Sequence, residues 1–293
     1  MVGLKLPTII AVTIVLLNQT ISFAEEEQRL IRAEKMWFSS QHKKAFRLME
    51  PLAEEGNSKA MYILGQMYMN GDGVQHSDEM TKKWWGKASS AGNLGATVSL
   101  ANLLIASGNT EEKRKGVLLL EEAADFDDAS VQFDVGVQYM MGTNVKQNFS
   151  KAFEYFQKSS LNGNEDAKCI LSYFYQHGLG VSKNAIEASK LMNDLKKSNC
   201  GEGEFRIGQY SHLNKDYSEA IKWFTKSILN GNPHAITNLG CMYLYGQGLE
   251  MDKSKARDLF HQAAKKGCKT AEQYLRNWSS LKTANPPDDI LLD

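Results

Sequence analysis

The chain has 293 residues and a formal net charge of zero, 34 lysines and arginines against 34 aspartates and glutamates. A nucleic-acid or anionic-membrane partner calls for a basic excess, which is missing. The length allows one domain or two and a sizeable buried core.

Residues 1–24, MVGLKLPTIIAVTIVLLNQTISFA, carry a single charge at Lys5, an apolar run from Leu6 to Leu17, and small residues at Ser22 and Ala24. That is the pattern of a secretory signal peptide cleaved after Ala24. The run is about 12 residues long, whereas a membrane span needs about 20. No later run is long enough to span, so the mature chain is expected to be soluble and exported, periplasmic or secreted, or in the secretory-pathway lumen if eukaryotic. Without residues 1–24 it holds 33 basic and 34 acidic residues.

From residue 25 to 281 the chain repeats itself. Residues 60–92 and 235–267 match at Leu64/Leu239, Gly65/Gly240, Tyr68/Tyr243, Gly71/Gly246, Gly73/Gly248, Trp85/Phe260, Ala88/Ala263 and Gly92/Gly267. With Gly65 as a ruler, the equivalents are Ala101, Gly136, Ser172, Gly208, Gly240 and Arg276, at steps of 36, 35, 36, 36, 32 and 36 residues. One period sustained in this way predicts a helical repeat array with a core continuous from unit to unit.

Each unit reads as two helices. Ala60, Leu64 and Tyr68 form one apolar stripe, and Gly65 lets a neighbouring helix come close. A Gly-x-Gly turn follows, in which glycine supplies positive φ; in the fourth unit Asn144 is expected to replace the second glycine. The second helix starts at an N-cap, Ser77, Asn148, Asn184 or Asp252. It carries aromatic and small residues in alternation, Trp84, Trp85 and Ala88 in the second unit, which predicts core packing. Gly56, Gly92, Gly163, Gly231 and Gly267 end the second helices.

Three units depart from this plan. The first turns through Gln41 to Lys44, the third through Ser107 to Thr110, and the sixth is short and turns through His212 to Asp216. A closing helix is expected at about 269–281. Residues 282–293, with Pro286 and Pro287, should be a disordered tail.

The A-x-x-x-L-G-x-x-Y-x-x-G-x-G-V unit, clear in residues 60–92, 167–198 and 235–267, resembles the Sel-one-like repeat family, relatives of the tetratricopeptide repeats. The resemblance implies an all-α, right-handed superhelical solenoid of antiparallel helix pairs, about seven pairs plus the closing helix. It also implies a protein-binding adaptor rather than an enzyme. By analogy with tetratricopeptide repeats, the concave groove would collect Tyr62, Gln66, Phe133, Val137, Tyr173, Phe205, Gln209, His234 and Tyr245. Aromatics among polar neighbours suit a hot-spot surface for a peptide or protein; burial between adjacent units is the alternative for the same residues.

Catalytic patterns are missing. His177 to Val181 has the glycines of a phosphate loop but follows a helix and falls on the repeat turn. No G-x-S-x-G, H-E-x-x-H or convincing S-x-x-K is present. Some cysteine-rich exported relatives have been discussed as beta-lactam-binding or beta-lactam-hydrolysing proteins, which would need an activated serine or a metal. Asp127-Asp128 reads as helix capping. No CxxC or histidine spacing suggests zinc, so no metal or cofactor is expected.

Four cysteines remain, Cys169, Cys200, Cys241 and Cys268, in a compartment that permits disulfides. Cys169 lies near the start of the fifth unit's first helix and Cys200 just past its second, so antiparallel packing predicts a Cys169–Cys200 bridge. Cys241 lies about one turn deeper than its counterpart, about 6 Å along the axis. A Cys241–Cys268 bridge is therefore less well placed, and buried thiols are the alternative.

Overall fold

The computed structural model describes residues 24–195 and 200–281. The expected signal peptide up to Phe23 and the expected tail from Lys282 lie outside the described residues. Every regular element among the described residues is helical. Seven helix pairs follow one another: α1 (residues 24–38) with α2 (His42–Glu54), α3 (Ser58–Asn70) with α4 (Asp78–Ser90), α5 (Leu94–Ile105) with α6 (Thr110–Ala124), α7 (Ala129–Met141) with α8 (Phe149–Leu161), α9 (Glu165–His177) with α10 (Ala185–Asp194), α11 (Gly201–Leu213) with α12 (Tyr217–Leu229), and α13 (Pro233–Tyr245) with α14 (Lys253–Lys265). Two short helices, α15 (Lys269–Arg276) and α16 (Trp278–Leu281), close the array.

Two compact units result, one ending at Leu119 and one starting at Leu120. In the first, Leu64, Met67, Trp84, Trp85 and Ala88 pack with Met49 and Leu52 of α2 and Leu100 of α5. In the second, the largest fully buried side chains are phenylalanines: Phe156, Phe224 and Phe260 on the second helices α8, α12 and α14, and Phe174 and Phe205 on the first helices α9 and α11.

Those rings explain the glycine of the first helix. A Cβ on Gly136 would come within 2.7 Å of Phe156, one on Gly208 within 2.6 Å of Phe224, and one on Gly240 within 2.8 Å of Phe260. The indole of Trp85 presses on Gly65 in the same way, and its Nε1–H donates to the carbonyl of Tyr62 at 3.1 Å. The third unit reverses the arrangement. Ala101 holds the ruler position on α5, and the close approach is made by Gly116 of α6, whose Cβ would lie 2.6 Å from the Ala101 carbonyl.

Helix starts follow their side chains. Ser77, Asn148, Asn184 and Asp252 each accept a hydrogen bond from the backbone N–H three residues on, and Asp128 accepts from Ser130 and Val131. The second glycine of the turn has a reason beyond φ. A Cβ on Gly73 would meet the backbone of His42, one on Gly180 that of Phe149 and one on Gly248 the side chain of Tyr217, each the first residue of the preceding repeat's second helix. Asn144 does not take over this role. Its backbone stays out of the positive-φ region, and its side chain instead donates to Gln138 at 2.8 Å. His42 to Lys44 belong to α2 rather than to the turn, which is made by residues 39–41. In the sixth unit the turn shrinks to Asn214, Lys215 and Asp216, with Lys215 at φ +60° and Asp216 capping α12.

Candidate binding face and buried thiols

The residues expected to line a groove are divided by the structure. Phe133, Val137, Tyr173, Phe205 and Gln209 are buried, while Tyr62, Gln66, His234 and Tyr245 are half-buried. Phe205 packs between Phe224 of its own pair and His234 of the next first helix, ring centroids 6.0 and 5.9 Å away. Tyr173 meets Trp223 and Tyr210 of the next repeat at 5.8 and 6.4 Å. The fifth and ninth residues of these first helices therefore lie on the flank that the following repeat covers, so these rings serve packing.

In α7 and α11 a half-buried charged side chain sits one residue further along. Asp134 is the sixth residue of α7 and Arg206 the sixth of α11, and both are half-buried. A step of one residue turns about 100° around a helix, which separates the packed flank from the polar one. α7 and α11 come directly together although a full pair lies between them in sequence. Arg206 Nε lies 2.8 Å from Glu202 Oε1, and its Nη1 donates to Gln209 Oε1 at 3.0 Å. Burial pushes Asp134 up to about 6; the Arg206 charge works against that shift, and Glu202 and Asp128 add to it. Burial also raises Asp166 of α9, whose Oδ1 accepts from the backbone N–H of Gly203 at 2.8 Å. Three consecutive first helices thus contribute half-buried charge to one polar face.

All four cysteines are buried free thiols. Cys200 is the N-cap of α11 and Cys169 the fifth residue of α9, and their sulfurs and a Glu204 carboxylate oxygen all lie within 4.8 Å of one another. The two cysteines therefore meet between successive first helices, not between the antiparallel partners of one pair. Asn230, just past α12, donates to Glu204 Oε2 at 2.7 Å. Burial raises Glu204, with the Asn230 bond acting the other way. The Cys200 contact and burial together raise Cys169 well above the ordinary thiol value. Cys268 faces other groups, Thr237 Oγ1 at 3.3 Å and His234 Nδ1 at 3.9 Å. Cys241 is paired with the Tyr274 hydroxyl, and burial pushes its thiol up to about 12.

A recurrence absent from the sequence reading underlies both pairs. The first helices α3, α5, α7, α9 and α13 are capped by Asn57, Asn93, Asp128, Asn164 and Asn232, whose side chains accept backbone N–H bonds. Asn93, Asn164 and Asn232 also donate through Nδ2 to Ser58, Ala129 and Gly201, each the opening residue of the preceding first helix, at 3.4–3.5 Å. Cys200 and Cys268 occupy the same position and make no capping bond. The signal was the Gly-Asn dipeptide that begins at Gly56, Gly92, Gly163 and Gly231.

Comparison with known proteins agrees with this construction. The Sel1 repeat profile matches residues 58–93, 129–164, 166–193, 202–232 and 233–268. An uncharacterized protein of Neisseria meningitidis serogroup B is 24% identical over 232 residues, which is 67% of this chain and 49% of that protein. Protein sel-1 homolog 2 of Rattus norvegicus is 25% identical over 256 residues, 82% of this chain and 36% of that protein. The chain thus spans half or less of the length of these relatives. Among solved structures, a protective antigen of uropathogenic Escherichia coli displaying an SLR fold superposes with a TM-score of 0.57 at 21% identity, covering 87% of this chain and 58% of the other. A Sel1 repeat protein of Oxalobacter formigenes gives 0.56 at 22%, covering 80% and 96%. These likenesses show the solenoid fold. Proteins built from such repeats typically mediate protein–protein interaction and are generally not enzymes. With five repeats matched over more than half of its length, the chain belongs to the Sel1 repeat family.

Proposed function

We propose that the protein is an exported, non-enzymatic scaffold that holds a protein or peptide partner on the polar face of its first helices. The observation that carries the reading is the half-buried charge that meeting first helices bring to one face: Asp134 of α7 lies within electrostatic reach of Arg206 and Glu202 of α11, two repeats on, and Asp166 lies on α9 between them in sequence. Charges half-withdrawn from water cost stability unless matched, and Asp134 is matched poorly enough to be raised to about 6. A partner's own hydrogen bonds and charges would complete the match. Export rests on the pattern of residues 1–24.

The test uses full-length protein expressed with its own amino terminus. Its mature form should begin at Glu25 by amino-terminal sequencing and collect in the exported fraction. As bait in an extract of that fraction, it should retain a partner that is lost by Arg206→Glu while the variant keeps the helical circular-dichroism spectrum of the wild type. Equal retention by wild type and R206E would remove this face from consideration. Intact protein confined to the cytoplasm would remove export.

A further inference from the structure

From the juxtaposition of Cys169, Cys200 and Glu204 we infer a thiol-oxidation site: the two cysteines form a disulfide between successive first helices, Glu204 is its proton acceptor, and Cys241 and Cys268 stay reduced. This goes beyond the scaffold reading and does not depend on it.

The position argues for it first. Five of the seven first-helix caps described above are asparagine or aspartate, and such a cap contributes about 1 kcal/mol. Cys200 gives that up and in exchange faces a second sulfur across the repeat boundary. At Cys268, which gives up the cap as well, the facing residue is Thr237, the fifth residue of α13 as Cys169 is of α9. The two equivalent slots therefore differ in the residue that faces the sulfur, and only one of them can close. Cys241 lies a turn further along α13, against Tyr274.

Glu204 argues for it second. A carboxylate is seldom buried next to thiols without a use, and this one is held by Asn230 at Oε2 with a carboxylate oxygen within 4.8 Å of both sulfurs. The other ionisable groups that act on it are Lys226 of α12, Asp166 of α9 and the Cys200 thiol; Glu202 and Arg206 share its helix and pair with each other. Thiolate, not thiol, is the nucleophile in exchange. Cys200 is slightly exposed and Cys169 not at all, so the co-reactant, a small or protein disulfide, meets Cys200 first. Glu204 takes the Cys200 proton, and Cys200 Sγ attacks one donor sulfur, forming a mixed disulfide and expelling one donor thiolate. Cys169 then loses its proton and attacks Cys200 Sγ, expelling the second donor thiolate. Two protein thiols are oxidised by two electrons, one donor disulfide is reduced, and both protons end on the released thiols.

The experiment starts from full-length protein reduced and freed of metal with a chelator, then exposed to oxidised glutathione while native. Peptide mapping without reduction should find a 169–200 cross-link in nearly every molecule and free thiols at 241 and 268. Glu204→Gln should reach the same end point at least about tenfold more slowly, with the acid limb of its pH–rate profile removed. Cys200→Asn, which restores the cap of the other repeats, should fold and show no cross-link. Four free thiols, a lasting glutathione adduct at Cys200, or a 241–268 link would overturn the disulfide. One bound zinc per chain on native protein purified without chelator, with Cys169 and Cys200 protected from alkylation, would overturn it in favour of a metal centre. An unchanged rate and pH profile in E204Q would overturn the role of Glu204.

Discussion

The hydroxyl of Thr237 lies 3.3 Å from the sulfur of Cys268, in the place that Cys169 takes toward Cys200. A single substitution should therefore copy the pair into the second slot. Thr237→Cys, oxidised, should yield a 237–268 cross-link by peptide mapping, with Cys241 still a thiol. Closing a loop of about 30 residues constrains the unfolded chain by about 3 to 4 kcal/mol. The oxidised variant should melt higher than its reduced form.

The glycine of the first helix is a packing requirement in four repeats. Adding one methyl at Gly208 would place it 2.6 Å from Phe224, a fully buried ring. Gly208→Ala should lower stability by about 1 to 3 kcal/mol through overpacking, despite alanine's better helix propensity. Phe224→Leu in the same chain should recover part of the loss. Urea denaturation of the single and double variants measures both.

Two N-caps of the same kind should differ in cost. Asp252 caps α14 through one bond to Lys255, whereas Asn164 caps α9 and also donates to Ala129 of the preceding first helix. Asp252→Ala should cost about 1 kcal/mol. Asn164→Ala should cost more, and equal losses would mean that the bond between repeats contributes nothing.

Asp134 makes stability depend on pH in an unusual direction. Burial raises it from 3.8 to about 6, so between those values the folded state binds more protons than the unfolded one. The contribution is complete below about pH 4 and is lost as pH rises through 6. Asp134→Asn should be more stable than wild type at pH 7.5, by about 1 to 3 kcal/mol given about 1.4 kcal/mol per pKa unit. At pH 4 the two should be indistinguishable by denaturant titration.

Much of the array was legible beforehand. The steps of the ruler, the N-caps Ser77, Asn148, Asn184 and Asp252, and the terminating glycines are local signals, because capping and φ are decided within a few residues. The structure places helices where these signals put them, and packs the aromatics of the second helices as the repeat pattern indicates.

The face of each helix was another matter. A periodic apolar stripe says that Phe133, Tyr173 and Phe205 recur in step, but a groove and an interface between repeats would both make them recur. Only the rotation of one first helix against the next decides which flank is covered, and that rotation is fixed by contacts such as Phe205 with His234, residues 29 positions apart. The true polar flank, Asp134 and Arg206, lies a single residue away in sequence.

Position within the repeat also hid the chemistry of the cysteines. The sequence by itself determined the period, the helix pairs, their caps and the glycines, all set by short-range sterics and hydrogen bonding. Only the tertiary structure decided that Cys200 stands in a capping position against Cys169, that Thr237 holds the matching place before Cys268, and that Glu204 lies beside both sulfurs of the first pair. Those meetings depend on how successive first helices stack, which is the sum of many side-chain volumes and is written in no single stretch of the chain.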